Sequence, residues 1–217
     1  MAQRSQDITD EARSPAPPRW KGEQCLVPVQ RFNERCIDLL CDVAARPDIE
    51  AQVLRENAVL WSALDRSARA RVARTTVVLL DVQFGDEQWW RRVTQVDDAG
   101  AGVDALRGEL PGDASEVLMY ETLMFCWQMV GANAMVARSS FAMSEAVANM
   151  IAGLTPKDVR EIATRYHASI RMRWANDCWF WRKILEAALR ADNDEIAVLY
   201  RHGKSVQLFA ALGRQAS

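Results

Sequence analysis

The feature that most constrains the fold of this 217-residue chain is an internal echo at a spacing of 90 residues. Without a gap, this offset pairs Cys36 with Cys126 and Trp89 with Trp179, and the segments most alike are 60–90 and 150–180. Helical sequences echo one another by chance, but an ungapped offset that joins two tryptophans is hard to obtain in that way. A tandem duplication would make the chain a covalent pseudo-dimer, in which two equivalent modules share one core as a symmetric homodimer does.

Most of the chain carries the signals of amphipathic helices. Within residues 32–45 the apolar side chains recur at spacings of three, four and seven, and residues 116–138 form a long Met-rich apolar run. Asp65 predicts the N-cap of a helix, and Pro156 predicts the first helical position of another. We therefore expect an all-α fold, with two similar helical modules packed as an intramolecular pseudo-dimer.

One segment leaves its secondary structure open. Residues 75–84 (TTVVLLDVQF) are dense in β-branched side chains, which favour a strand but also occur at a buried helix end. Periodicity alone does not separate these two alternatives in so short a run.

Composition shifts divide the chain into four parts. Residues 1–22 are polar and Pro-rich, which predicts a disordered N-terminal arm. Residues 94–115 contain four glycines and five acids against a single arginine, which predicts an acidic linker. The expected modules are therefore residues 23–93, and residues 116–217 with the C-terminal helices.

Charge and composition exclude several classes of protein. The formal net charge is −2, so no global field would drive the chain onto nucleic acid or a membrane. A charged first segment without an apolar core, and the lack of any 18-residue apolar run, argue against an export signal and a membrane span. Five scattered cysteines without a CxxC pair are typical of reduced thiols, so we expect a cytoplasmic protein with no membrane contact.

The second half of the echo resembles FlhD, the helical subunit of the FlhD–FlhC flagellar master regulator of bacteria. The matching pattern is Ile151-Ala152-x-Leu154-Thr155, then Val159-x-x-Ile162-Ala163, and then Arg173-Trp174. The similarity covers roughly residues 116–185, and the first half matches it more faintly. The resemblance implies an intertwined all-α fold, a role in transcriptional control, an FlhC-like protein partner and contact with double-stranded DNA.

Basic and aromatic side chains of the C-terminal part supply the candidate binding residues. Ten lysines and arginines oppose six acids between residues 160 and 217, an excess that suits phosphate contact but is also typical of a solvated helix face. The candidate DNA-binding residues are Arg173, Arg182, Lys183, Arg190, Arg201 and Lys204. The candidate partner-binding residues are Trp174, Trp179 and Trp181, for which core packing is the alternative.

The sequence carries no familiar catalytic pattern. His167 and His202 lie far apart without companion acids, and Cys36 and Cys41 share a helix face in a way that favours core packing over metal ligation. No phosphate-binding, dinucleotide-binding or nucleophile-elbow motif occurs, so we expect no enzyme activity, no metal and no cofactor.

Two functional hypotheses follow. The first is a cytoplasmic transcriptional regulator of the FlhD type, which acts through a DNA-binding protein partner and through its own C-terminal basic helices. We expect Arg182, Lys183, Arg190, Arg201 and Lys204 to share one face in that case. The alternative is a helical adaptor or chaperone-like protein that binds a peptide or protein without any DNA role. Whether the pseudo-dimer associates further stays open in both.

Overall fold

The computed structural model describes residues 26–95 and 108–215, with side chains up to residue 206. Ten helices and one pair of two-residue strands make up this part of the chain. In chain order they are α1 (Leu26–Ala44), α2 (Gln52–Glu56), α3 (Ala58–Ala63), α4 (Arg66–Ala73), β1 (Leu80–Asp81), α5 (Glu87–Gln95), α6 (Gly112–Phe141), α7 (Glu145–Ala152), α8 (Pro156–Tyr166), β2 (Arg171–Met172), α9 (Cys178–Leu189) and α10 (Asn193–Gln215). The expected all-α character is confirmed. Among the described helices, none is both long and apolar enough to cross a membrane.

Side-chain caps set where α4 and α8 begin. The Asp65 carboxylate accepts the backbone N–H of Ala68 at 2.6 Å, as the sequence predicted. Thr155 and Asp158 form a reciprocal capping box, and Pro156 occupies the first position of α8. Such caps satisfy backbone donors that have no partner inside the helix, so they fix the start of each helix locally.

The segment whose structure was open in the sequence is a largely buried, non-helical connector that contains the short strand β1. Residues 75–84 leave α4 without continuing the helix, and within them β1 pairs antiparallel with β2. Leu80 lies opposite Met172, and Asp81 lies opposite Arg171 with an ion pair of 3.1 Å. Asn33 of α1 holds the connector from the other side, because its amide donates to Val77 O at 2.8 Å and accepts from Leu79 N at 3.0 Å.

The two strands lead into turns of the same backbone geometry. Gln83 and Trp174 both have left-handed φ angles, of 50° and 54°. Each accepts a bond of 2.9 Å from the N–H of an aspartate three residues later, Asp86 or Asp177. Each aspartate then caps the helix that follows, α5 or α9. These matching positions lie 91 residues apart, whereas the caps of α4 and α8 lie 90 apart, so the ungapped offset expected from the sequence slips by one residue between them.

The tryptophans near these turns differ in burial. Trp90 and Trp181, 91 residues apart, are both fully buried. Trp89 is also buried, whereas Trp179 is 61% exposed, so the two tryptophans that the offset of 90 pairs have different surroundings.

Helix packing crosses between the halves. α1 packs on α4, and α6 packs on α8. The helices that follow the two turns pack on the opposite half: α5 lies against α7, and α9 lies against α2, α3 and α4. Trp181 of α9 contacts Trp61 of α3 with ring centroids 5.6 Å apart. Between the halves, α1 also meets α6 through stacked rings of Phe32 and Phe125, 4.5 Å apart.

The predicted boundaries agree with the described helices only in part. The predicted arm, residues 1–22, lies outside the described residues. α5 runs to Gln95 and α6 begins at Gly112, so both ends of the predicted linker 94–115 are helical, and residues 96–107 lie outside the described part.

Candidate interaction surface

Arg173 is a structural residue and not a surface cation. Its side chain is 3% exposed, and the guanidinium donates to the carbonyl oxygens of Val78 and Phe141, each at 2.6 Å. Burial lowers the pKa of this guanidinium, and the nearby Asp81 carboxylate partly offsets the effect. A DNA phosphate does not reach a guanidinium in this position, so the expectation that Arg173 contacts DNA is wrong for this conformation.

Trp181 is likewise part of the core. It has no exposed surface, and its indole N–H donates to the carbonyl of Arg173 at 2.8 Å. The expectation that Trp181 binds a partner is therefore wrong, because a partner cannot contact a side chain that is fully enclosed. Arg173 and Trp181 together join the β2 turn to the connector and to the end of α6.

Trp174 anchors α10. Its indole N–H donates to Gly203 O at 3.2 Å, and its ring lies 4.8 Å from that of Phe180 and 6.0 Å from that of Tyr200. A Cβ atom at Gly203 would lie only 2.9 Å from the Trp174 and Phe180 rings, so glycine allows α10 to approach this closely. Trp174 is half-buried, and its indole N–H and part of its ring are occupied by these contacts within the chain.

The outward face of α9 holds the remaining candidates. Buried residues of this helix face α3, α4 and α10, and the opposite side forms a continuous stripe at spacings of three, four and seven residues. We call this stripe the α9 outer face. It consists of Trp179, Arg182, Lys183, Glu186, Leu189 and Arg190. Trp179 is its largest apolar group, with 61% of its surface exposed.

Charges on the α9 outer face are weakly engaged. Lys183 pairs with Glu186 of the same face at 3.0 Å, and Arg190 pairs with Glu195 at the start of α10. Arg182 makes a long contact of 3.4 Å to the Asn57 side chain. Exposed pairs of this kind contribute little to stability, so these cations are free to exchange partners at low cost.

Arg201 and Lys204 lie away from this face, on α10. Lys204 donates to the hydroxyl of Thr76 in the connector, and burial together with nearby Arg173 lowers its pKa. Arg201 is exposed, and its guanidinium turns back to Ala197 O at 3.3 Å. Of the five cations expected on a common face, three lie on the α9 outer face, and Lys204 is engaged with the connector.

Sequence reasoning missed the counterpart of this face on α5. With the offset of 91, Gln88, Arg91 and Arg92 match Trp179, Arg182 and Lys183 in order. All three are exposed, and Arg91 pairs with Glu87 one turn earlier. The dipeptides Arg91-Arg92 and Arg182-Lys183 were visible in the sequence, but the ungapped offset set Arg92 against Arg182 and hid the match.

A second missed contact joins Ser115 and His167. The Ser115 hydroxyl lies 2.8 Å from His167 Nδ1 and also 3.0 Å from Gly112 O. The serine hydroxyl therefore bridges the first turn of α6 and the imidazole, and the tautomer of His167 decides which of the two groups donates. Ser115 is 1% exposed, so the contact fixes the start of α6 against α8. Elsewhere in the described part, no three His, Cys, Asp or Glu side chains converge on a point where a metal ion would bind.

Comparison of the chain with protein-family models, curated proteins and solved structures gave no match. The candidate surface is therefore defined by the geometry described above.

Proposed function

We propose that this chain is a transcriptional regulator of the FlhD type, built as an internally duplicated pseudo-dimer that acts through a protein partner. The observation that carries the proposal is the pair of equivalent turns after β1 and β2, each of which sends its helix onto the opposite half. Exchange of equivalent elements across a two-fold axis is how homodimers are intertwined. A duplicated chain reaches the same arrangement with one polypeptide.

Further matches between the halves support the duplication. Cys36 and Cys126, 90 residues apart, are both fully buried in the first helix of their half. The antiparallel pairing of β1 with β2 is what a local two-fold axis between equivalent strands requires, since each strand then faces its own counterpart. The resemblance to FlhD implies an intertwined helical fold, and the crossed packing of α5 and α9 supports that part of the proposal.

The proposal assigns DNA contact chiefly to the partner. Of the six cations expected to contact DNA, Arg173 is buried and Lys204 is bonded to the connector. Phosphate contact by such residues would also carry no sequence information. The regulator therefore acts mainly by recruiting or positioning a protein that recognises DNA.

Rapid depletion of the chain in its native host, followed by RNA sequencing within one generation, tests this function. We expect a discrete set of operons to fall, flagellar operons among them, and to recover when the wild-type chain is re-expressed. Affinity capture with and without nuclease gives the second measurement, because a partner held by protein contact survives nuclease treatment.

Unchanged transcripts after depletion would contradict the regulator. If a nuclease-resistant partner were still recovered in that case, the chain would be an adaptor or chaperone-like protein without any DNA role. Loss of every partner on nuclease treatment would instead assign the binding to nucleic acid and contradict action through a protein.

A further inference from the structure

The α9 outer face combines two apolar anchors with a surplus of positive charge. Trp179 and Leu189 stand ten residues apart, about 15 Å along the helix at about 1.5 Å per residue. They are 61% and 37% exposed. Between and beside them lie three cations, of which Lys183 pairs with Glu186 and Arg190 pairs with Glu195, so the face keeps a surplus of one positive charge, that of Arg182. Tryptophan and arginine are among the residues enriched at the energetic centre of protein interfaces.

The matching face on α5 has the same charge but lacks the anchor. Arg91 and Arg92 stand where Arg182 and Lys183 stand on α9, and Gln88 replaces Trp179. Both faces are exposed, so folding does not demand the tryptophan at this position. The halves therefore differ at the one side chain that would supply most of the binding energy.

From this difference we infer that the α9 outer face docks one acidic amphipathic helix of a protein partner per chain, anchored by Trp179, and that the α5 face docks none. A helix with leucine-type side chains on one stripe and Asp or Glu beside it would cover Trp179 and Leu189 and meet the three cations. This partner surface takes its biological meaning from the proposed regulator, although the binding itself is measured without any transcription.

A designed peptide serves as the probe. It is a fluorescein-labelled helix of about 18 residues, long enough to be helical in water, with leucines at helical spacing and glutamates elsewhere. A second peptide has lysine in place of every glutamate. Fluorescence anisotropy with the intact chain gives the affinity, and titration at high protein concentration gives the stoichiometry. Circular dichroism of each variant checks that the helices are retained.

We expect the glutamate peptide to bind with a stoichiometry of one and the lysine peptide not to bind. Trp179→Ala should weaken binding by roughly 30-fold, the loss typical of an interface hot spot. Arg182→Glu with Lys183→Glu should also weaken binding, and added salt should weaken the wild-type complex because the attraction is partly electrostatic. The matched control, Arg91→Glu with Arg92→Glu, should leave the affinity within about twofold of wild type, within the scatter expected for residues outside an interface.

Equal affinity of the wild type and Trp179→Ala would overturn the inference, as would equal losses from the α5 and α9 charge reversals. A stoichiometry of two would contradict the claim that the α5 face is inactive. Gln88→Trp should raise the stoichiometry from one to two, and a stoichiometry that stays at one would show that the tryptophan does not distinguish the faces. If depletion left transcripts unchanged while the peptide bound as expected, the regulator would fail and the docking surface would stand.

Discussion

Replacement of Arg173 tests whether this arginine stabilises the fold or contacts DNA. The side chain is buried and donates two charge-assisted hydrogen bonds, to Val78 O in the connector and to Phe141 O at the end of α6. Arg173→Ala removes both donors and leaves two buried carbonyl oxygens without these partners. Arg173→Met removes the donors but keeps most of the aliphatic volume, so the difference between the two variants measures the packing contribution.

The expected loss follows from those contacts. Each hydrogen bond to a charged group contributes about 1.5–3 kcal/mol, and relief of the desolvation cost of the guanidinium returns part of that sum. We therefore expect Arg173→Ala to lower the free energy of unfolding by about 3 kcal/mol. For a chain of this size, this corresponds to a fall in Tm of about 6–12 °C.

Urea unfolding followed by circular dichroism and tryptophan fluorescence measures the change, with the slope compared between variants. The matched control is Arg171→Ala, two residues away, where an exposed arginine pairs with Asp81 at 3.1 Å. That loss should stay below about 1 kcal/mol, as is usual for exposed ion pairs. Wild-type stability in Arg173→Ala, together with weakened promoter binding, would refute the structural role and restore Arg173 as a DNA contact.

Three further substitutions test other parts of the fold. Gly203→Ala places a Cβ atom 2.9 Å from two aromatic rings, so overpacking should outweigh the gain in helix propensity by about 1 kcal/mol and speed proteolysis within α10. Asn33→Ala removes the amide that donates to Val77 O and accepts from Leu79 N, so it should lower the free energy of unfolding in urea by about 3 kcal/mol. An unchanged urea midpoint would contradict this role. The pKa of Asp113 is lowered to about 2, mainly by its hydrogen bond to Arg46, so the pair stabilises the fold above the ordinary pKa of 3.8 and loses this effect as pH falls towards 2. Thermal melts of wild type and Asp113→Asn should therefore differ above that ordinary pKa and converge near pH 2.

Local signals predicted the helices well, and they did so because helix ends are set by nearby residues. Asp65 was visible as a cap and Pro156 as a first-turn residue, since a cap needs only the N–H groups of the next turn. The connector was different. Residues 75–84 contain the strand β1, whose partner lies about 90 residues later in the chain, and no property within the segment reveals that pairing.

The candidate site was predicted less well, because burial depends on contacts across the halves. Arg173 and Arg182 look alike in the sequence, yet one lies against two carbonyls from distant segments and the other is exposed. Trp179 and Trp181 also looked equivalent. Their difference follows from the phase of α9: residues two positions apart lie on opposite sides of a helix, and packing against α3 and α4 places Trp181 inside and Trp179 outside.

The one-residue slip changes which tryptophans are paired. A 3-10 turn at His167–Ser169 follows α8, whereas α4 passes directly into the connector. On the proposed duplication, an extra residue in this region accounts for the change from an offset of 90 to one of 91. The offset of 91 pairs Trp90 with Trp181, which are both fully buried, whereas the ungapped offset of 90 pairs Trp89 with Trp179.

Cutting the chain between α5 and α6 tests the crossed packing of the halves directly. If each half were an independent domain, the two pieces would fold alone. In the structure α9 instead buries Trp181 and Ile184 against α2, α3 and α4, while α5 buries Trp90 in the core beside α7. A buried side chain of this size stabilises the fold by about 1.5–3 kcal/mol, so loss of several of them exceeds the stability of a typical domain.

We therefore expect each piece alone to aggregate or to show no cooperative unfolding, and the co-expressed pieces to purify as a one-to-one complex with the helix content of the intact chain. Either piece unfolding cooperatively on its own as a monomer would show that the halves are separate domains and that the crossing of α5 and α9 does not hold the fold together.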